Sequence, residues 1–427
     1  MKVLRAIFLF AIITGFPFSA LAADSSGDTL KINNPPVAIR QLAKLTASDG
    51  FALNEFGYSI AMSGDVIVVG SLSERVYVFV KPKSGWQDMT QTAELQASIP
   101  VDGFGTSVAI SGNIILVGAP NSTNPGKVFA YVRPVTGWRN MTETAQLVAS
   151  DGEPGDGFGF SVSISRNAAV VGASEATING NAFQGAAYVF TPPENKWAEL
   201  TGATLTETAK LTASDGIVAG FFGTGVSISG KVIAIGATLQ NAGTGEGYVF
   251  VEPDGGWTST TETAQLKPSD GGGDLGSQIA TNGTTVVATA PDAGERQRKD
   301  VGTVYVFAER ESGWTDMTET AQLLPSTTPG PIQGPVAIDA TGHYVAAGSP
   351  AGYGNHDDSG QVYLFSEPAG GWQTTSKSQK LFSSDGQRLD EFGSSVAIGG
   401  QTLVAGAPFA SIGVNLQQGA AYVFGKE

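Results

Sequence analysis

The stretch DGFGTSVAISGNIILVGAP, residues 102–120, decides how this chain is read. It runs from Phe104-Gly105 through two short apolar patterns, split by Ser-Gly-Asn, to Gly118-Ala119-Pro120. Nearly the same phrase, DEFGSSVAIGGQTLVAGAP, returns at 390–408. Alternating apolar runs bounded by Gly, Ser, Asn and Pro read as a β-hairpin. A hairpin phrase that returns so far downstream points to a chain built by duplication.

Seven copies follow when the phrase is laid along the chain. They begin at Phe56-Gly57, Phe104-Gly105, Phe158-Gly159, Phe222-Gly223, Leu275-Gly276, Gln333-Gly334 and Phe392-Gly393. The fifth and sixth lack the Phe and keep the Gly. Each copy goes on to a variable loop and a third apolar run such as KVFAYV or GTVYVF. A loop with a tryptophan comes next, at Trp86, Trp138, Trp197, Trp257, Trp314 and Trp372. A fourth run of the TAQLVAS kind closes the unit.

Each unit is therefore predicted to be a four-stranded antiparallel sheet. Runs such as IILVGA and AAVVGA leave both faces apolar, so no single sheet can cover itself. Seven sheets packed face to face and closed into a ring solve this, which gives an all-β, seven-bladed β-propeller. Small residues at Gly70, Gly118, Gly172, Gly236, Gly348 and Gly406 mark places where backbones come close or a strand bends.

The chain stops at GAAYVFGKE, just where a seventh Trp loop and fourth strand would follow. The missing strand stands at the other end. IRQLAKLTASDG, residues 39–50, matches TAKLTASDG of 208–216. The N-terminal strand is expected to complete the last blade and to cover its exposed edge.

Residues 1–22 read as an export signal. Lys2 and Arg5 precede an apolar run, and Ala20-Leu21-Ala22 is a small-x-small cleavage site. Residues 23–38, with Pro35-Pro36, read as a linker, and 39–427 as one propeller domain. The expected location is the periplasm, the cell surface or the exterior. The formal charge of −15 disfavours nucleic acid. Absence of cysteine excludes disulfides, a thiol nucleophile and thiolate metal sites. Apart from the leader, no run has the length and apolarity of a membrane span.

Phe-Gly, an inner hairpin and Gly-Ala-Pro, repeated seven times, resemble the FG-GAP repeat β-propeller, the fold of the integrin α-subunit head. The resemblance covers about 39–424 and looks like an exported bacterial form. It implies a propeller and leaves the activity open. Integrin-type blades carry an Asp-x-Asp-x-Asp-Gly calcium loop between the first two strands. Here that connection is a tight turn (SGN, SRN, SGK, GGQ), so no cofactor is carried over.

In a meander, the turns from fourth to first strand and the loops from second to third strand share one face. Ser-Asp-Gly recurs there at Asp49, Asp151, Asp215, Asp270 and Asp385. Asn54, Asp102, Asp156, Asp274 and Asp390 stand just before the Phe-Gly or Leu-Gly pair. Asp102, Asp156, Asp274 and Asp390 would make an acidic ring at the channel mouth, able to hold a cation. Turn chemistry is the competing reading, since a repeated turn repeats its Asp.

The variable loops carry two unusual clusters, Arg296, Arg298 and Lys299, and Tyr353, His356, Asp357 and Asp358. They fall in consecutive blades and form a candidate site for a polar ligand, beside the alternative of solvated loops. His356, Asp357 and Asp358 are too close in sequence to converge readily on one metal ion. No nucleophile elbow, His-Glu-x-x-His or P-loop is present. The Trp motif reads as blade packing, with sugar stacking as the alternative.

The expected function is a non-catalytic exported module that binds protein or glycan through the loops of one face. Two alternatives remain: a carboxylate-based polysaccharide hydrolase or lyase, and a structural partner in an envelope complex.

Overall fold

Each repeat folds into a meander, and seven of these close a ring of blades. The computed structural model describes residues 18–19, 39–166, 168–193, 196–293, 301–326, 330–352, 354 and 358–426. Blade 2 is representative. Its strands are Ser107–Ser111, Ile114–Ala119, Lys127–Val132 and Ala145–Leu147, each antiparallel to the next. The first strands of blades 1 to 7 are Ser59–Ser63, Ser107–Ser111, Ser161–Ser165, Phe222–Ser229, Gln278–Thr281, Val336–Ile338 and Ser395–Gly399. Each packs beside the next, and the seventh beside the first, so they line a central channel. The backbone of Phe18–Ser19 pairs in parallel with Ser107–Val108 on this inner ring.

The ring closes as the sequence predicts. Arg40–Thr46 lies antiparallel to Ala420–Gly425 as the fourth strand of blade 7, with Lys44 opposite Tyr422. Both ends of the repeat array thus share one sheet, and the third strand of blade 7 is no longer an edge.

The core sits in the seams between blades. The Phe of each Phe-Gly pair packs against an aromatic pair on the third strand of its own blade. Phe104 meets Phe129 and Tyr131 edge-on at 5.5 and 6.4 Å, and Phe158 meets Tyr188 and Phe190 at 5.6 and 5.9 Å. Leu275 fills the Phe place in blade 5. Blade 6 requires a correction. The residue buried there is Ile332, not Gln333, while Gly334 still bonds through its N–H to the Gly348 carbonyl at 3.1 Å. One extra residue, Gln333, is accommodated between them.

The glycine that opens each Gly-Ala-Pro is fixed by a close approach. The Ser107 hydroxyl donates to the Gly159 carbonyl of the next blade at 2.8 Å. A methyl group on Gly118 would collide with both. Ser59, Ser161 and Ser395 repeat this bond to Gly105, Gly223 and Gly57.

All six tryptophans are buried. Each lies in the seam between its own blade and the preceding one. Trp138 of blade 2 shares one buried cluster with Val66 and Val78 of blade 1 and Ile110 and Ile115 of blade 2. Just past the Trp, the chain runs along the outer edge of the preceding blade. Met141–Thr142 pairs in parallel with blade 1, Met89–Thr90 with blade 7, and Met317–Thr318 with blade 4. Trp loop and edge strand together strap the seam.

Candidate functional site

The fourth-to-first turns and second-to-third loops share one face, and the described sequence candidates fall there. Arg296, Arg298, Lys299, Tyr353, His356 and Asp357 lie outside the described residues. Asp358 is described. It takes the left-handed backbone conformation (φ 55°), and its carbonyl accepts from Leu389 N–H at 3.0 Å.

The Ser-Asp-Gly aspartates are seam pieces. Asp151 accepts from the Tyr188 hydroxyl at 2.9 Å and from Lys210 at 2.5 Å, both on blade 3. Asp385 does the same with Tyr422 and Lys44 of blade 7, at 2.8 and 2.5 Å. Burial pushes these carboxyls up, but the bonds from lysine and tyrosine outweigh it and hold both below the usual range.

The four aspartates expected as a ring divide by position. Asp156 and Asp390, two residues before their Phe-Gly glycines' partners Phe158 and Phe392, are buried. Each caps its own turn, accepting from Glu153 N–H and Gln387 N–H at 2.8 Å. Asn54 is likewise buried and bonds to Ser71 and Ser73. Asp102 is exposed and takes a long bond from Asn121, 3.4 Å. Asp274 alone of the four stands directly before its Leu-Gly pair.

That directly preceding position was missed by the sequence reading in the other blades. It holds Glu55, Gly103, Gly157, Phe221, Asp274 and Glu391, and all six have positive φ, between 52° and 77°. Glycine takes this conformation freely, while other residues pay about 1 kcal/mol. Blades 2 and 3 use Gly. Blades 1, 5 and 7 instead keep a carboxylate, and all three carboxyls are shifted upward. Burial, then the charges of Glu55 and Asp358, raise Glu391 to about 7. Burial and Asp292 raise Asp274 to about 6. Burial raises Glu55. Glu55 and Glu391 stand at equivalent positions of adjacent blades, and the Glu55 charge adds to burial in favouring the protonated form of Glu391.

Exposed apolar residues flank the two positions in sequence and on the blade 7 loop. Leu53, Leu389, Val414 and Leu416 are 62, 54, 94 and 66% exposed, and Phe51 and Leu72 stand on the same face. The Leu53 N–H donates to the Leu416 carbonyl at 2.9 Å, which ties the turn before blade 1 to the loop of blade 7. Ile99, Ile217 and Val218 also point out from this face. Of the exposed large apolar residues among those described, only Val135 and Val251 lie off it. A second acidic feature, a cleft of about 370 Å3, is lined by Asp151, Glu153, Asp156, Glu175, Tyr188 and Lys210. Burial and the Asp156 charge raise Glu175.

The FG-GAP repeat family matches residues 39–79, 90–132, 141–190, 205–251 and 375–424, more than half of the chain. The stretch between the last two matches holds blades 5 and 6, the two that lack the Phe. No curated protein matches the chain.

Proposed function

Because the chain belongs to the FG-GAP repeat family, a fold that carries its chemistry in loops, we propose that it is an exported, non-catalytic binding module. Its ligand is a polypeptide with exposed cationic and apolar groups, and it docks on the loop face around blades 6, 7 and 1. One observation carries this reading. Glu55 and Glu391 occupy left-handed positions where glycine would be cheaper, with raised pKa values and a rim of exposed Leu and Val. With both carboxylates charged the arrangement is unfavourable, and a cationic partner would relieve the charge repulsion and cover the apolar rim. The burial of all six Trp leaves no indole face for sugar stacking, so a protein ligand is favoured over a glycan. Among the described residues no helix is long and apolar enough to cross a membrane.

The test is affinity capture from the native host's envelope and culture fluid. The wild type should retain a partner that is lost with Leu53→Ser plus Leu416→Ser, and with Glu55→Gln plus Glu391→Gln. Val135→Ser, off the face, should retain it. Equal retention by all three variants would overturn the reading.

A second reading draws on Glu391 alone. A carboxyl raised to about 7 beside another carboxyl is suited to general-acid work in a hydrolase or lyase acting on polysaccharide. Polysaccharide turnover abolished by Glu391→Gln would favour this enzyme over the binding module.

A further inference from the structure

Six of the seven seams are filled by an indole, and the seventh is not. In the seam between blades 6 and 7 there is a cavity of about 500 Å3. Its walls include Tyr344 and Leu364 of blade 6 and Ile398 and Leu403 of blade 7. These match, strand for strand, residues that share one buried cluster with Trp138 in the seam between blades 1 and 2. Tyr344 corresponds to Val66, Leu364 to Val78, Ile398 to Ile110 and Leu403 to Ile115, and those four belong to the cluster of that indole. The cavity is therefore a seventh indole seat.

The topology explains why no side chain of the repeat fills it. Trp loops join third and fourth strands, but the fourth strand of blade 7 is Arg40–Thr46, from the start of the ring. In the repeats with Trp86, Trp138 and Trp314, the indole stands three residues before the Met of the edge strand. Ile39 takes the Met place in this seam and itself lines the cavity.

A second observation comes from Ser378. Its hydroxyl lies at the cavity wall, buried and without a hydrogen-bond partner among the described residues. The equivalent Thr92, Thr144, Thr208, Thr263 and Thr320 all accept from a third-strand or adjoining N–H, at 3.0 to 3.1 Å. The described lining also includes Lys377 and Lys426 and no carboxylate, in a chain of net charge −15.

We propose that this seam binds a small planar aromatic carboxylate of indole size. The ring takes the place an indole takes in the other six seams, Ser378 supplies a polar contact, and the two lysines draw the carboxylate. The cavity volume suits a ligand somewhat larger than a bare side chain. The site opens on the Trp-loop side, opposite the loop face, so it stands or falls independently of the binding module proposed above.

The probe is N-acetyl-tryptophan, with its neutral amide and N-acetyl-leucine as comparisons. Calorimetric titration and thermal melting of the whole chain are the readouts. N-acetyl-tryptophan should bind and raise the melting temperature. The amide should bind about fivefold more weakly, the effect of losing partly exposed charge contacts, and the leucine derivative should not bind. Ile398→Phe fills the seat from the wall. It should abolish binding without lowering the melting temperature. No response to N-acetyl-tryptophan at millimolar concentration would overturn the proposal, as would equal binding of the leucine derivative. Undiminished binding in a folded Ile398→Phe variant would place the ligand elsewhere and overturn it too.

Discussion

Ser150, in the turn that leaves blade 2, is held by Glu207 of blade 3 through two hydrogen bonds, 2.9 Å from its backbone N–H and 2.6 Å from its hydroxyl. The same clamp joins Ser98 to Glu143, Ser214 to Glu262 and Ser269 to Glu319. On both sides of the closing blade a glutamine does the work, Gln91 on Ser48 and Gln41 on Ser384. Six seams are clamped in this way. At the seam of blades 5 and 6 the corresponding pair is Ser326 and Lys377, and an ammonium group accepts no hydrogen bond.

That seam is expected to open first. Glu207→Ala hands an exposed turn N–H and hydroxyl back to water and should cost about 0.5–1.5 kcal/mol in chemical denaturation. Lys377→Glu supplies the missing acceptor and should stabilise by about 1 kcal/mol. Hydrogen exchange should find the lowest protection in the strands of blade 6 in the wild type, and that difference should shrink in Lys377→Glu. A destabilised Lys377→Glu variant would show that the clamp is a bystander.

The tryptophans should behave as core residues. Trp138 is buried among apolar side chains of two blades. Trp138→Ala removes those contacts and leaves a cavity, at a cost of about 3–5 kcal/mol. Trp372 also donates from its ring nitrogen to the Gly342 carbonyl at 3.0 Å. Trp372→Phe should therefore cost more than Trp138→Phe, whose ring nitrogen has no partner among the described residues. Equal losses in the two Phe variants would assign the whole effect to ring volume.

Stability should peak on the acid side of neutrality. Glu391 is raised from 4.5 to about 7, so the folded chain holds that proton more tightly than the unfolded chain. Its contribution is full below about pH 4.5 and is lost as pH rises through about 7. Asp274, raised from 3.8 to about 6, acts in the same direction. Asp151 and Asp385 act oppositely. They are held below 3.8, so their contribution is present above that pH and is lost as pH falls further. Melting temperature should be highest between about pH 4 and 5. Glu391→Gln should be more stable than the wild type at pH 8, by on the order of 2 kcal/mol, and equal to it near pH 4. A wild type that melts highest at pH 8 would contradict this assignment.

The repeat, the blade count, the closing strand and the role of the Trp loops were all legible in the sequence, because each is a matter of order along the chain. The separate roles of neighbouring acidic turn residues were not. Asp390 and Glu391 are neighbours in sequence, yet the first is buried as a turn cap and the second has its carboxyl shifted upward by burial and the Glu55 charge. Only the backbone conformation separates them. One clue was present: Gly103 and Gly157 stand where blades 1 and 7 have Glu, which marks a position that favours positive φ. The partners of the Ser-Asp-Gly aspartates were hidden for a different reason. The bond from Tyr188 to Asp151 crosses a seam, and nothing in either turn announces it. Blade 6 misled through a one-residue insertion, since alignment on Gly334 put Gln333 where Ile332 is buried.

Closure by Arg40–Thr46 carries the largest prediction. Removing residues 39–47 uncovers the edge of Ala420–Gly425, deletes the Lys44–Asp385 and Gln41–Ser384 links, and opens the seams on both sides of blade 7. In a ring, each blade depends on two neighbours for the burial of its faces, so one lost strand weakens two interfaces together. The truncated chain should unfold at lower denaturant with a broader transition, and it should aggregate through the exposed edge. A synthetic peptide of residues 39–50 should restore the sharp transition, since its strand register is fixed by the alternation of Ala43 and Leu45 inward with Lys44 outward. The same peptide with Leu45→Ser and Ala43→Ser should fail to restore it. A truncated chain that melts like the wild type, or a doubly substituted peptide that rescues as well as the native one, would mean that the ring is held shut by something other than this strand.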